Sequence, residues 1–392
     1  MKLLRHISLV AAVSIVTSCF SSGKLQPENV VNTQTPMVFG TSSAASESVE
    51  TKGSSVLDQG FKVHTWKHFG TAAQQTVMDG FKVEYRPAAS VKWEYVGVNN
   101  QIQRYWDLGG FSYEFRAVSP YSEDVTITDG GLTISKPFFA QVLTNGVYNK
   151  AGADSEPFVV AQVSRANLGS GVTDRYEDRD LLKNQEINTY GKLNATRGVH
   201  LPFHHLMSKL GFKVFVDDPQ PTALNYTITL QSVEVYAVKN GLKTQGTYAA
   251  TNAQGLGNGT FTDPSPVSGE TLLFKNDQGY TGDFRQYLNA DTAFDLTPDG
   301  LQQIPQNAVK LHVKMKMQTL HQDNSVVDFS FDRYLSLDKT KTDGDLFDWA
   351  PDTRYIYYLR VPNLHEHEMV LGLCETSPWE EVQTSDIPVT VE

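Results

Sequence analysis

An alternation of apolar and polar residues with a period of two runs through much of this 392-residue chain, and it constrains the fold more than any other feature. Phe61/Val63, Phe81/Val83/Tyr85, Val91/Trp93/Tyr95 and Phe111/Tyr113/Phe115 alternate with polar residues in the first half. Tyr226/Ile228/Leu230, Val309/Leu311/Val313/Met315/Met317, Val327/Phe329/Phe331 and Tyr355/Tyr357/Leu359/Val361 repeat the habit in the second. Successive side chains of a strand point to opposite faces, so the pattern predicts strands with one face buried and one wet. In the longest run Lys310, His312, Lys314 and Lys316 hold the alternate positions, which puts one face of that strand in solvent. Strands of this kind suit antiparallel sandwiches better than a parallel sheet covered on both sides. The expected fold is all-β with few short helices.

The clearest helical signal is Phe203, Leu206, Met207 and Leu210, spaced i, i+3, i+4, i+7, with Gly211 directly after it. The segment before it, from Gly171 to Arg197, is polar and charge-dense, as a surface connection is. A chain of this length has room for two cores of roughly 150 residues each. Two tandem domains are therefore expected, 56–198 and 199–392, with the short helix opening the second.

Upstream lies a different kind of sequence. Lys2 and Arg5 precede an apolar run from Ile7 to Val16 and then small residues before Cys19, the layout of a secretory signal over residues 1–18. The run is too short for a membrane-spanning helix, which needs about 20 apolar residues. Residues 19–55 are rich in Ser, Thr, Asn, Glu and Ala and read as a tether carrying one apolar island, Met37-Val38-Phe39.

A formal charge of −11 argues against a nucleic-acid partner, which requires a basic footprint. Two cysteines allow at most one bridge, and Cys19 falls at the signal boundary, leaving Cys374 in an apolar stretch as a packed thiol. His365-Glu366-His367-Glu368 and the pair His204-His205 concentrate possible metal ligands, but neither an HExxH spacing nor a cysteine pair completes a zinc set. Asp343-Gly344-Asp345 with Asp348 lacks the alternating oxygens and closing Glu of a calcium-binding EF-hand and reads as a polar turn. There is no nucleophile elbow, phosphate-binding glycine loop or dinucleotide fingerprint, so no catalytic or metal residue and no cofactor is assigned, and a non-enzyme is expected. The aromatic crowd Trp93, Tyr95, Tyr105, Trp106, Tyr113, Phe115 and Tyr121 offers a sugar-stacking platform in principle, but its alternation places most members in the core.

The residues Val16-Thr17-Ser18-Cys19 resemble the lipobox of bacterial lipoproteins. With Met37-Val38-Phe39, Trp93-x-Tyr95, Tyr105-Trp106, Phe111 to Tyr121, Phe203 to Leu210, Tyr355-x-Tyr357 and Ser377-Pro378-Trp379-Glu380 in that order, the chain resembles the fimbrillins, subunits of the type V pili of Bacteroides-type anaerobes. The resemblance implies two transthyretin-like β-sandwich domains in an outer-membrane lipoprotein acylated at Cys19. It further implies cell-surface location, adhesion, and assembly with other fimbrial subunits as shaft, anchor or tip pilin. In shaft subunits of that family a maturation protease cuts after a basic residue and the first strand leaves, so that a neighbour's strand is taken into the groove. Carried onto this chain, the displaced strand is Met37, Val38 and Phe39 and the cut follows Lys52. No Arg lies between Cys19 and Arg86, a departure from the pattern that also fits an uncut anchor or accessory subunit. At the tail, Ile387, Val389 and Val391 alternate with polar residues and form a candidate donor strand, worth roughly 5 to 9 kcal/mol on burial before ordering costs. That strand otherwise completes its own domain. The alternative function is a surface glycan-binding lipoprotein of β-sandwich type.

Overall fold

A computed structural model describes residues 37, 39–40, 59–69, 73–86, 93–105, 112–150, 154–165, 174–175, 199–201, 203–217, 226–280, 282–338, 340–363 and 368–379. Cys19, Val38, Lys52, Trp106, His365, His367, Ile387, Val389 and Val391 lie outside the described residues. All described residues belong to the unit Thr35–Glu392.

The fold is all-β. Among the described residues, helical structure is limited to three-residue 3-10 turns such as Val98–Asn100 and Phe284–Gln286. The largest sheet has nine strands and runs Asp174–Arg175, Val159–Arg165, Ser112–Ser119, Phe61–Phe69, Ala73–Tyr85, Trp93–Glu94, Phe39–Gly40, Val199–His200, with His204–His205 pairing Val159–Val160. Two five-stranded sheets and a four-stranded one follow, the longest strands being Tyr226–Leu242 and Gln306–His321. Pairing is mostly antiparallel, as half-buried strands predict. Among the described residues two pairs are parallel: Phe39–Gly40 with Val199–His200, and Ser208–Val216 with the start of Thr353–Asn363. The second of these is buried along its length, Ser208–Val216 having only two half-buried positions, which fits a parallel strand covered on both faces.

Two apolar clusters form the interior. One gathers Met37, Phe39, Phe61, Val63, Trp93, Tyr95, Phe115, Ala117, Val159 and Phe203; the other extends from Trp66 through Val118, Phe138 and Met315 to Trp379. Neighbours Ala117 and Val118 go to different clusters, as the period of two requires. Strand pairing bridges residue 198 in three places: at Phe39–Gly40, at Val159–Val160, and where Gly131–Phe139 joins Gln245–Thr251. The larger cluster likewise draws on both sides of that position.

The expected helix at 203–210 is not formed. His204–His205 and Ser208–Val216 are strands joined by a bend at Leu206 and Met207. The carboxylate of Glu156, only 3% exposed, accepts the backbone N–H of Leu206 at 2.6 Å and of Met207 at 2.8 Å, and Asp352 accepts that of His205 at 3.0 Å. Carboxylates distant in sequence thus take the donors that a helix would have used, and the four apolar side chains reach the core from a bend instead. In Gln306–His321, Lys316 is exposed while Lys310 and Lys314 are half-buried, but His312 departs from the expected wet face. Its ring stacks on Tyr334 at 4.5 Å, and its nitrogens lie 2.6 Å from Glu270 and from Asp332, so neighbouring strands cover it.

Candidate functional site

The short strand Phe39–Gly40 is remote in sequence from everything it touches, and its surroundings define the candidate site. Phe39 pairs with Trp93 on one side, antiparallel, and with Val199 on the other, parallel, so the segment is inserted between two strands rather than laid on an edge. Its ring meets Phe61 at 5.5 Å, Tyr95 at 5.9 Å and Phe115 at 6.3 Å, all edge-on, the arrangement aromatic quadrupoles favour. Met37 is wholly buried and Phe39 is 4% exposed.

Polar groups fix the segment at its start. The Met37 N–H donates to the Arg104 carbonyl at 2.8 Å, and the Met37 carbonyl accepts from the Tyr95 hydroxyl at 2.9 Å and from Gln103 Nε2 at 3.2 Å. Burial pushes the Tyr95 phenol up to about 12, so the hydroxyl stays a donor through the neutral range. A segment with two buried side chains and its terminal peptide groups capped by the surrounding wall is a plug in a groove. Held at both edges by strands, that groove has the chemistry to accept any extended segment with apolar side chains two residues apart.

Of the residues singled out from sequence, Met37 and Phe39 come together here. Sequence reasoning missed Gln103 and the Arg104 carbonyl, for which no local signal exists, and it read Tyr95 only as core. Trp93, Tyr95, Tyr113 and Phe115 are buried and do not form an exposed aromatic platform; Tyr105 is exposed. Two other motifs meet away from the groove: the His205 ring stacks on Trp379 at 4.0 Å and 9°, with Lys209 Nζ 5.7 Å from the Trp379 ring. His205 Nδ1 is 2.6 Å from Glu156, so this histidine serves the bend described above. Asp345 accepts from Ser336 Oγ and the Leu337 N–H, and Asp348 from the Ala308 N–H, which makes the acidic stretch a set of turn contacts. Cys374 is free and half-buried, and burial pushes its thiol up to about 11, away from nucleophilic use.

Residues 56–379 match the model of the fimbrillin-like family, and the chain belongs to that family. A fimbrial structural role at the cell surface follows from that membership. The fold is also similar to that of a fimbrial protein from Bacteroides vulgatus, at 15% identity and a TM-score of 0.54, over 88% of this chain and 99% of that one. A candidate cell-adhesion protein from Bacteroides uniformis matches at 14% identity, TM-score 0.39, over 88% and 99% of the two chains. One from Bacteroides ovatus matches at 14%, TM-score 0.40, over 89% and 96%. No curated protein matches the chain in sequence.

Proposed function

We propose that this chain is a fimbrial subunit exported as a lipoprotein acylated at Cys19, and that it joins other subunits by strand exchange at the groove now filled by Met37 and Phe39. The observation that carries the reading is the insertion of Phe39–Gly40 between Trp93–Glu94 and Val199–His200, with a long sequence separation on either side. An element joined to the body only through a Ser/Thr-rich tether can leave without dismantling the strands that flank it. A cut after Lys52 frees it, and the tail strand of Ile387, Val389 and Val391 from a second subunit supplies the replacement. The lipid holds the precursor at the outer membrane until maturation. Without the cut, the same chain keeps its lipid and serves as an anchor.

Limited trypsin treatment of precursor carrying Cys19→Ala tests this. Cleavage near Lys52 should be followed by an SDS-resistant ladder on gels, and a version truncated before Ile387 should give none. A cleaved protein that stays monomeric in every condition removes the strand-exchange reading. The N-terminal residue of protein taken from cells separates the two roles, with acylated Cys19 marking an anchor and Gly53 a processed shaft subunit.

A further inference from the structure

Arg104, whose carbonyl caps Met37, also lines an open cavity of about 420 Å³, within the size range of small-ligand sites. Its wall includes Asp79, Phe81, Asn99, Asn100, Arg104 and Tyr121. The Arg104 carbonyl is committed to Met37, while among the described residues the Arg104 guanidinium meets no carboxylate. That group lies over the Phe81 ring, 5.3 Å from its centre, and Nε is buried without a hydrogen-bond partner among the described residues. Because Nε is sealed from solvent, only the terminal nitrogens of the guanidinium can meet an acceptor in the cavity. On the Tyr121 wall, Lys62 and Lys82 Nζ lie 5.3 and 5.7 Å from the ring centre, but Lys62 is 3.8 Å from Glu123 and Lys82 2.9 Å from Glu84, so the charge of each is already matched.

The rest of the lining is hydroxyl-binding in character. Asn99 and Asn100 sit in left-handed backbone, at φ 48° and 60°, with both side chains exposed and making no hydrogen bond within the described residues. Asp79, 3.3 Å from His64, offers a carboxylate acceptor from the opposite strand. The neighbouring Gln101 is already occupied by both backbone groups of Lys82 and by the Tyr95 carbonyl, so it braces the turn instead of facing a ligand. A fork for a carboxylate beside free amides and an acid for hydroxyls matches a sugar acid. An acidic peptide side chain presents a carboxylate on an apolar stem and leaves the amides unused.

We propose that this cavity is a binding site for a carboxylated monosaccharide unit of a surface glycan, with Arg104 taking the carboxylate and Asn99, Asn100 and Asp79 the hydroxyls. The site is complete in a single subunit, so its test does not depend on strand exchange. Saturation-transfer NMR and calorimetry on the full chain should detect glucuronate, with glucuronate methyl ester and glucose binding at least tenfold more weakly. Arg104→Gln should weaken glucuronate at least tenfold while leaving the circular dichroism spectrum unchanged. Asn100→Asp, which keeps a residue tolerant of positive φ but sets a like charge beside the carboxylate, should weaken it independently of any effect on folding. Equal binding of acid and ester, undiminished binding by both variants, no binding of glucuronate or galacturonate, or tighter binding of triglutamate than of either uronate would each overturn the assignment.

Discussion

Replacing Phe39 by Ala should separate a removable strand from an ordinary core strand. The ring is 4% exposed and bounded by Phe61 and Phe115, each in a strand of its own, and by Tyr95, held through its hydroxyl, so the site has little freedom to collapse. A buried Phe→Ala change of this kind costs about 3–5 kcal/mol. If residues 37–40 open as a unit before the rest unfolds, that loss falls on the closed state alone. The opening equilibrium then rises by roughly a hundredfold to several thousandfold, at about 1.4 kcal/mol per factor of ten. Hydrogen exchange read by mass spectrometry should show peptides covering 37–40, 93–95 and 199–201 exchanging faster by such a factor, while those covering Gln306–His321 keep their protection. The fall in global stability is then capped at the free energy of opening, because the opened form no longer contains the ring. Uniform acceleration across both regions, with the whole 3–5 kcal/mol lost from the denaturation curve, would mean that the segment is part of the cooperative core. The exchange reading would then fail.

Three further outcomes follow from other contacts. Arg116 is fully buried, donates to Glu114 at 2.7 Å and to the Thr128 and Asp129 carbonyls at 2.5 and 2.9 Å, and lies over Trp66. Arg116→Met should cost about 3–5 kcal/mol in urea titration, since it removes the cation paired with Glu114, which keeps only Gln162 and His68 beside it, and leaves two carbonyls without their donor; a loss below about 1 kcal/mol would refute this. Glu156→Ala removes the acceptor for two buried N–H groups and for His205; about 2–6 kcal/mol of destabilisation is expected, with selective loss of exchange protection at Leu206 and Met207. Burial raises the folded pKa of Tyr95 and Tyr248 to about 12, above the ordinary value of 10. The unfolded state therefore releases its phenolic protons first as pH rises, and stability is full below pH 10 and declines between about 10 and 12. Alkaline titration followed by tyrosinate absorbance should show these groups ionising only with unfolding, and Tyr95→Phe should loosen residues 37–40 at neutral pH as well.

The period of two carried the fold class because it is a local property: alternate side chains of a strand face alternate sides whatever the partners are, and Tyr113, Phe115 and Ala117 went into the core on that rule alone. The apolar island Met37-Val38-Phe39 in a polar tether was legible as a local feature too, since its three apolar side chains have nothing nearby in sequence to bury against. What local pattern could not supply was the choice of partners. Phe203, Leu206, Met207 and Leu210 carry a helical spacing, yet Glu156 and Asp352, roughly 50 and 150 positions away, draw the backbone donors of the bend to themselves. His312 reads as a solvent position until the neighbouring strands place Glu270 and Asp332 against it. The same holds for the candidate sites: that Phe39 lies between Trp93 and Val199, and that the Arg104 carbonyl caps Met37 while its side chain borders a cavity, depend on non-local strand register. Residue order by itself determined how each strand presents its faces; which strands meet was decided by the tertiary packing, because hydrogen-bond partners and aromatic neighbours are chosen across distances that no local periodicity encodes.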